Sequence, residues 1–172
     1  MSGRRLVIYG DPVLQKKAEP VNHIRSDVIE LVGDMQETMY ANRGIGLAAP
    51  QVGASVRVIV LDASGGKDPG QRLVLLNPRI LEMSNETTAE EGCLSVPEFV
   101  THISRATLLK VIGQTLDGKS IEVDAEGLAA RAIQHEIDHL DGRLIVDFLN
   151  PLQRDLFERK FQQEQQRKRS VF

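Results

Sequence analysis

The stretch GIGLAAPQVG, residues 44–53, decides which fold class the chain can adopt. Gly44, Gly46 and Ala49 satisfy the G-x-G-x-x-[GA] fingerprint of dinucleotide-binding loops. That fingerprint holds phosphates only between a preceding strand and a following helix, whose N-terminus faces them. The flanking sequence has the reverse order, so a dinucleotide-binding α/β fold is excluded. The two glycines and the polar Gln51 then need another explanation.

The order of elements around this stretch follows from two patterns. The segment before it carries apolar residues at helical spacing, with Ser26 or Asp27 as the predicted N-cap; these residues are Val28, Val32, Met35 and Met39. The segment after it, VRVIVLD, is typical of a buried strand. The stretch therefore connects a helix to a strand.

The length and composition indicate one soluble domain over residues 1–172, of ordinary size for a single core. No apolar run reaches the length of about 18 residues that spans a bilayer, and no secretory signal is recognisable. A single cysteine, Cys93, precludes an internal disulfide and fits a reducing cytoplasm. The net charge of −3 argues against free nucleic-acid binding. Residues 151–172, by contrast, carry six Lys/Arg and three Asp/Glu.

The remaining pattern predicts an α+β fold without βαβ alternation. Residues 62–72 form a predicted exposed loop, and Asp117-Gly118 predicts a hairpin turn. A second helix is predicted over about 127–140, and a C-terminal helical extension over 151–172 begins at Pro151 after an Asn150 cap. Leu152, Leu156 and Phe157 are expected to anchor that extension. Short strands are expected at Val56–Leu61, Leu73–Leu76, Phe99–Ile103 and Leu108–Ile112.

The second predicted helix carries a metal-binding pattern, His135-Glu136-x-x-His139. Histidines four residues apart lie on the same helix face, so both imidazoles can bind one ion. Glu136 lies beside them, where a carboxylate can take the proton of an attacking water. A catalytic metal needs a third protein ligand and one open position.

Two candidates for that third ligand remain on the residues alone. The metzincin pattern requires a histidine at position 145, where this chain has isoleucine, so that class of protease is excluded. Glu158 would give a gluzincin-like zinc peptidase, and Cys93, in EEGCLSVPE, would give a cysteine-ligated site. A lone cysteine with a histidine also permits a cysteine hydrolase with Cys93 as nucleophile and His135 as base. A closed structural metal site is the non-enzymatic alternative.

Three segments together, GIGLAAPQVG, EGCLSVP and QHEIDHLDG, resemble in order and spacing the motifs of the bacterial, compact peptide deformylases. The resemblance extends over essentially the whole chain. It implies antiparallel sheets packed around a central metal-binding helix. It also implies a hydrolase that removes the formyl group from the N-formylmethionine of nascent polypeptides and releases formate.

The resemblance also implies roles for individual residues. Cys93, His135 and His139 would bind one metal ion per chain, ferrous iron in the cell, for which zinc or another divalent ion can substitute. Glu136 would be the general base and acid. Gln51 and the backbone N–H of Leu94 would stabilise the oxyanion.

The substrate would be held by a wall around the formyl carbon and a pocket for methionine. Glycines let backbone approach a formyl group closely enough to exclude a larger acyl group. The residues expected to contact the substrate are Gly44, Ile45, Gly46, Gly92, Leu128, Arg131 through its stem, and Ala132.

The basic end of the chain suggests a partner. Arg167, Lys168 and Arg169 could dock on ribosomal RNA near emerging chains, with steep salt dependence. They could equally complement the C-terminal dipole of their own helix.

Overall fold

The computed structural model describes residues 3–171, so Phe172, the last residue of the predicted extension, lies outside the described residues. Within that range it contains three α-helices, four short 3-10 helices and five strands. The helices are α1 (Ser26–Ala41), α2 (Gly127–Leu140) and α3 (Pro151–Ser170). The strands are β1 (Gly46–Ala48), β2 (Val58–Asp62), β3 (Arg72–Cys93), β4 (Val96–Gln114) and β5 (Ser120–Glu126).

The five strands form one antiparallel sheet in the order β1-β2-β3-β4-β5, so each strand pairs with its neighbour in sequence. The loop predicted at residues 62–72 joins β2 to β3, and the predicted hairpin turn at Asp117-Gly118 joins β4 to β5. Gly118 has φ +83°, a left-handed conformation that glycine adopts without strain. The sheet and helices confirm the predicted α+β class with a C-terminal helix.

The prediction of short strands at 73–76, 99–103 and 108–112 was wrong in length. β3 has 22 residues and β4 has 19, and they pair with each other from Leu76↔Gln114 to Cys93↔Val96. Neither β2 nor β5 reaches far along this pair, so its outer half is a two-stranded ribbon. Residues 81–88 of β3 are exposed, and they therefore lack the apolar alternation that reveals a strand in sequence.

Helix α1 covers the apolar positions as predicted, with Val28, Val32, Met35 and Met39 all buried. The predicted N-cap was wrong. Arg25 precedes the helix, and no side chain caps it. Asp27 accepts a hydrogen bond only from the next residue, Val28, at 3.0 Å, too local to satisfy the donors of the first turn.

Helix α2 is the predicted second helix with the predicted bounds. It packs against β1, β2, β4 and β5. Its own side chains Ala130, Ile133 and Leu140 are almost completely buried against the sheet. Burying each of the two large side chains contributes about 1.5–3 kcal/mol, which fixes the helix against the sheet.

Helix α3 begins at Pro151 after Asn150, whose side chain accepts a hydrogen bond from the backbone N–H of Gln153, as predicted. Its predicted anchors need correction. Leu152 and Leu156 are exposed (69% and 58%), while Phe157 is buried. Phe157 and Phe161 pack edge-on against Tyr9, each with ring centroids 5.1 Å from it. The buried ring of Phe157 therefore anchors α3 to the rest of the protein, whereas Leu152 and Leu156 face the solvent.

Among residues 3–171 no helix is long and apolar enough to cross a membrane.

Candidate metal centre

Helix α2 places His135, Glu136 and His139 at the centre of the molecule. His139 is 1% exposed and Glu136 is 4% exposed. The two histidines, one turn apart, have Nε2 atoms 3.3 Å from each other. Burial lowers the pKa of His139 well below its ordinary value. A neutral imidazole is the form that binds metals, so this environment favours ligation.

The third member of the cluster comes from the turn between β3 and β4. Cys93 is the last residue of β3, and its Sγ lies 3.3 Å from Nε2 of His139. One ligand atom each from Cys93, His135 and His139 lie within 4.8 Å of one another. One thiolate and two imidazoles are donors that suit zinc and ferrous iron. The structure thus brings together the three residues that the sequence resemblance assigns to a metal.

Glu91 orients His135, and the sequence reasoning missed it. Its Oε2 lies 3.0 Å from Nδ1 of His135, which as donor leaves Nε2 free to bind a metal. Burial acts to raise the pKa of Glu91, but hydrogen bonds from His135 and Arg105 outweigh it and hold the pKa to about 2. The signal was its position two residues before Cys93. Side chains alternate along a regular strand, so this spacing predicts that the two side chains point to the same face.

Glu136 lies against the cluster with an unusual environment for a carboxylate. Burial raises its pKa to about 7 when only protein groups act on it. Its Oε2 is buried and accepts no hydrogen bond from any residue in the described part of the chain. A carboxylate with a pKa near neutrality can both take up and give back a proton.

Gln51 approaches the cluster from the stretch after β1. It is 2% exposed, and its Oε1 accepts a hydrogen bond from the backbone N–H of Ala48 at 2.9 Å. That bond turns Nε2 toward Ser95 Oγ at 3.2 Å and toward Cys93 Sγ at 3.7 Å. Leu94 lies between these two residues, in the turn joining β3 to β4. An amide donor and a turn backbone thus flank the sulfur.

A cavity of about 710 Å³ opens onto this centre. Cys93, His135, Glu136, Gln51 and Leu94 line it. All seven residues that the sequence assigned to the substrate line it as well: Gly44, Ile45, Gly46, Gly92, Leu128, Arg131 and Ala132. Val96 and Phe99, which that assignment omitted, also line it. The cavity is large enough for an amino-acid side chain together with peptide backbone.

Glu158, the alternative third ligand, is elsewhere. Its Oε1 accepts hydrogen bonds from the hydroxyl of Tyr9 at 2.9 Å and from Arg154 at 3.5 Å, on α3. It is not a member of the group of possible ligands around His135 and His139. The geometry therefore does not favour a gluzincin-like peptidase.

The known proteins to which this chain is similar are peptide deformylases. The model of the polypeptide deformylase family matches residues 4–155. A peptide deformylase of Thermodesulfovibrio yellowstonii is 50% identical over 153 residues, 89% of this chain and 93% of that protein. The structure of a peptide deformylase from Legionella pneumophila superposes with a TM-score of 0.88 at 42% identity, covering 95% of this chain and 98% of that one. A peptide deformylase from Ehrlichia chaffeensis in complex with actinonin has a TM-score of 0.87 at 34% identity, covering 95% of this chain and 98% of that one. With the family model covering most of its length, this chain belongs to the polypeptide deformylase family.

Proposed function

We propose that this chain removes the formyl group from the N-formylmethionine of nascent polypeptides at a metal held by Cys93, His135 and His139. The family assignment supports the reaction. The observation that carries the site is the convergence of the three ligand atoms within 4.8 Å at the cavity. When bound there, a divalent ion would act as a Lewis acid. It would lower the pKa of water enough to supply a nucleophile for a formamide near neutral pH.

The ligand set can be tested without any substrate. Replacing Cys93 with alanine leaves two imidazoles, which are too few for a stable site. The variant should purify with little metal by elemental analysis. Full metal occupancy in Cys93→Ala would overturn the ligand assignment.

Glu136 is the proposed general base and acid. It would take the proton of the attacking water and deliver it to the leaving amine, which must depart neutral. Its burial supports this role, because a carboxylate excluded from bulk water loses its preference for the ionised form. Its position next to His135 in sequence places it on the wall of the cavity.

Gln51 and the backbone N–H of Leu94 are the proposed oxyanion donors. The hydrogen bond from Ala48 fixes the Gln51 amide, so its N–H needs no reorganisation when negative charge develops on the formyl oxygen. Fixed donors of this kind contribute about 2.7–4 kcal/mol each to stabilising the transition state. A neutral amide also avoids competing with the metal for its ligands.

The proposed substrate contacts fall into two groups, one for the formyl group and one for the methionine side chain. Gly44, Ile45 and Gly46 would bring backbone close to the formyl carbon, and Gly92, at the end of β3, would also contact the substrate. Leu128, the stem of Arg131 and Ala132 would contact the methionine side chain. Leu128 is 54% exposed at the cavity, where an apolar ligand would cover it.

We infer that ferrous iron is the working metal and that zinc is a slower substitute. Both ions accept this ligand set, but an iron–thiolate centre is exposed to dioxygen, which can oxidise Cys93. Enzyme loaded anaerobically with iron should be more active than the zinc form. In air it should lose activity while Cys93 gains oxygen by mass spectrometry. Equal turnover and equal air stability of the two forms would refute this preference.

The basic end of α3 is the proposed ribosome contact, in the bacterial cytoplasm where nascent chains emerge. Phe157 and Phe161 hold the first half of α3, and the exposed Arg167, Lys168 and Arg169 follow beyond it. A chain truncated after Gln162 keeps Phe157 and Phe161, which anchor α3, but lacks the three basic residues. It should pellet less with ribosomes than the full chain. The full chain's pelleting should weaken steeply with salt. Unchanged pelleting after that truncation rejects the contact.

A further inference from the structure

Arg131 lies on the wall of the cavity, yet its charge is directed away from it. It precedes His135 by one turn of α2. Its Nη1 donates to Oε1 of Glu91 and to the backbone carbonyl of Ile103, both at 2.8 Å. Its Nη2 donates to the backbone carbonyl of Thr87, also at 2.8 Å. With its guanidinium held by β3 and β4, only the stem is left for an incoming ligand.

The carboxylate that Arg131 holds is the one that orients His135. Oε1 of Glu91 accepts from Arg131 and from Nε of Arg105 at 2.8 Å. Oε2 accepts from Nη2 of Arg105 and pairs with Nδ1 of His135, both at 3.0 Å. The Glu91 side chain is only 6% exposed. Four N–H donors therefore fill both of its oxygens.

The two arginines constrain Glu91 from different sides. Arg105 extends from β4, and its Nη1 reaches Asp138 of α2 at 2.6 Å. Arg131 extends in the opposite direction, from α2 to the backbones of β3 and β4. Removing Arg131 would leave one oxygen of Glu91 with a single donor and would release α2 from both strands at this point.

We propose that Arg131 is a positioning residue, which locks Glu91 onto His135 from the cavity wall through its guanidinium. The carboxylate fixes the imidazole ring and its tautomer, as partners of metal-bound histidines do. The same residue, Arg131, then both lines the cavity and fixes the orientation of the metal ligand His135 through Glu91. This inference rests on the proposed metal site and goes beyond the role of the Arg131 stem in the pocket.

The test distinguishes the effect of the Arg131 guanidinium from the effect of its apolar stem. Arg131→Met keeps an apolar side chain on the wall and removes the three hydrogen bonds. Its zinc affinity, measured by competition with a chromophoric chelator, should fall about 10–100-fold. Its KM for a formyl-methionyl peptide should change much less than its zinc affinity. Leu128→Ala, which alters only the wall, should raise KM and leave zinc affinity unchanged.

Matched controls make each outcome decisive. Arg159→Met removes an exposed arginine paired with Asp155 on α3, and its zinc affinity should equal the parent's. Parent-like zinc affinity in folded Arg131→Met, with a raised KM, would overturn the proposal. If circular dichroism shows that Arg131→Met is unfolded, Arg131→Lys decides. A lysine ammonium cannot span the same three acceptors, so zinc affinity should still fall, and parent-like affinity overturns the proposal.

The zinc measurement uses no substrate, so it is independent of the proposed reaction. If the parent binds zinc but releases no formate from the peptide, the proposed function fails while this inference is still decided by the affinities.

Discussion

A β-carbon built on Gly46 would lie 2.6 Å from Oε1 of Glu136. The same β-carbon would also crowd the Cγ of Glu136 at 3.1 Å, so rotating the carboxylate alone would not relieve the contact. On the neighbouring glycine, Gly44, a β-carbon would lie 2.9 Å from Cδ1 of Leu94. Gly46 and Gly44 are therefore needed where backbone meets the proposed base and the proposed oxyanion turn, respectively.

Gly46→Ala should displace Glu136 and lower kcat for formyl-methionyl peptide by at least about tenfold, while the metal stays bound. Proton transfer depends on the base lying within hydrogen-bond reach of its water. Gly33→Ala is the matched control, because a β-carbon there meets nothing within 4 Å. It should keep full activity and gain about 0.5–1 kcal/mol of stability from helix propensity. Full activity in Gly46→Ala would show that the close contact has no catalytic consequence.

Glu136→Gln should retain the metal and the fold and lose activity by about 10² or more, the usual scale for proton-transfer catalysis. Glutamine has nearly the same shape but cannot accept a proton. Metal content, circular dichroism and kcat on formyl-methionyl peptide give the answer together. A variant that hydrolyses the peptide at the parent rate would remove Glu136 from the mechanism.

Much of the site could be predicted from sequence because its parts are local. His135, Glu136 and His139 lie on one helix whose periodicity is clear, and Cys93 and Gln51 lie in short motifs. The helix bounds at Gly127 and Leu140 followed from the same periodicity.

The remainder could not be predicted because it arises from pairing between distant segments. Residues 81–88 of β3 are exposed, and they form a strand only through their pairing with β4. The contacts of Glu91 with Arg105 and Arg131 join β3, β4 and α2. No local spacing marks them. On α3 the sequence does not tell which of Leu156 and Phe157 turns inward, since adjacent positions differ by only about 100° around a helix.

The anchoring of α3 predicts a contrast between neighbouring residues. Phe157→Ala should lower the free energy of unfolding by about 3 kcal/mol, because it deletes a buried ring that contacts Tyr9, Phe99 and Phe161. Leu152→Ala and Leu156→Ala should each change it by less than about 0.5 kcal/mol, since both side chains are exposed. Urea denaturation of the three variants measures this. Equal losses at Leu156 and Phe157 would show that α3 packs differently.

Because of Asp62, we expect part of the free energy of unfolding to be lost in acid. It is fully buried at the end of β2 and accepts hydrogen bonds from the hydroxyl of Tyr40 at 2.6 Å and the backbone N–H of Gly66 at 3.0 Å. Burial acts to raise the pKa of Asp62, but hydrogen bonds from Ser64 and Tyr40 outweigh it and hold the pKa below its ordinary value. Because the folded pKa is lowered, this stability is present above the unfolded pKa of about 3.9 and is lost as pH falls through the folded pKa.

Asp62→Asn should therefore be less stable than the parent by about 1–2 kcal/mol at pH 7, through loss of hydrogen bonds to a charged acceptor. The difference in free energy of unfolding between the two proteins, measured by urea denaturation, should narrow below about pH 4, where the parent carboxylate takes up its proton. Comparing the two proteins in the same metal form cancels the effect of acid on the metal ligands. A gap that is constant from pH 7 to pH 3 would contradict the assignment of a charged Asp62.

Formate release from a formyl-methionyl peptide, measured before and after removal of metal by a chelator, tests the central claim most directly. The parent chain should release one formate per peptide, lose this activity in chelator and regain it when ferrous iron or zinc is added back. The alternative cysteine hydrolase has Cys93 as nucleophile and His135 as base, and one ligand atom of each lies within 4.8 Å of the other. Formate release that continues unchanged in metal-free protein would contradict the metal mechanism and would favour a cysteine hydrolase instead.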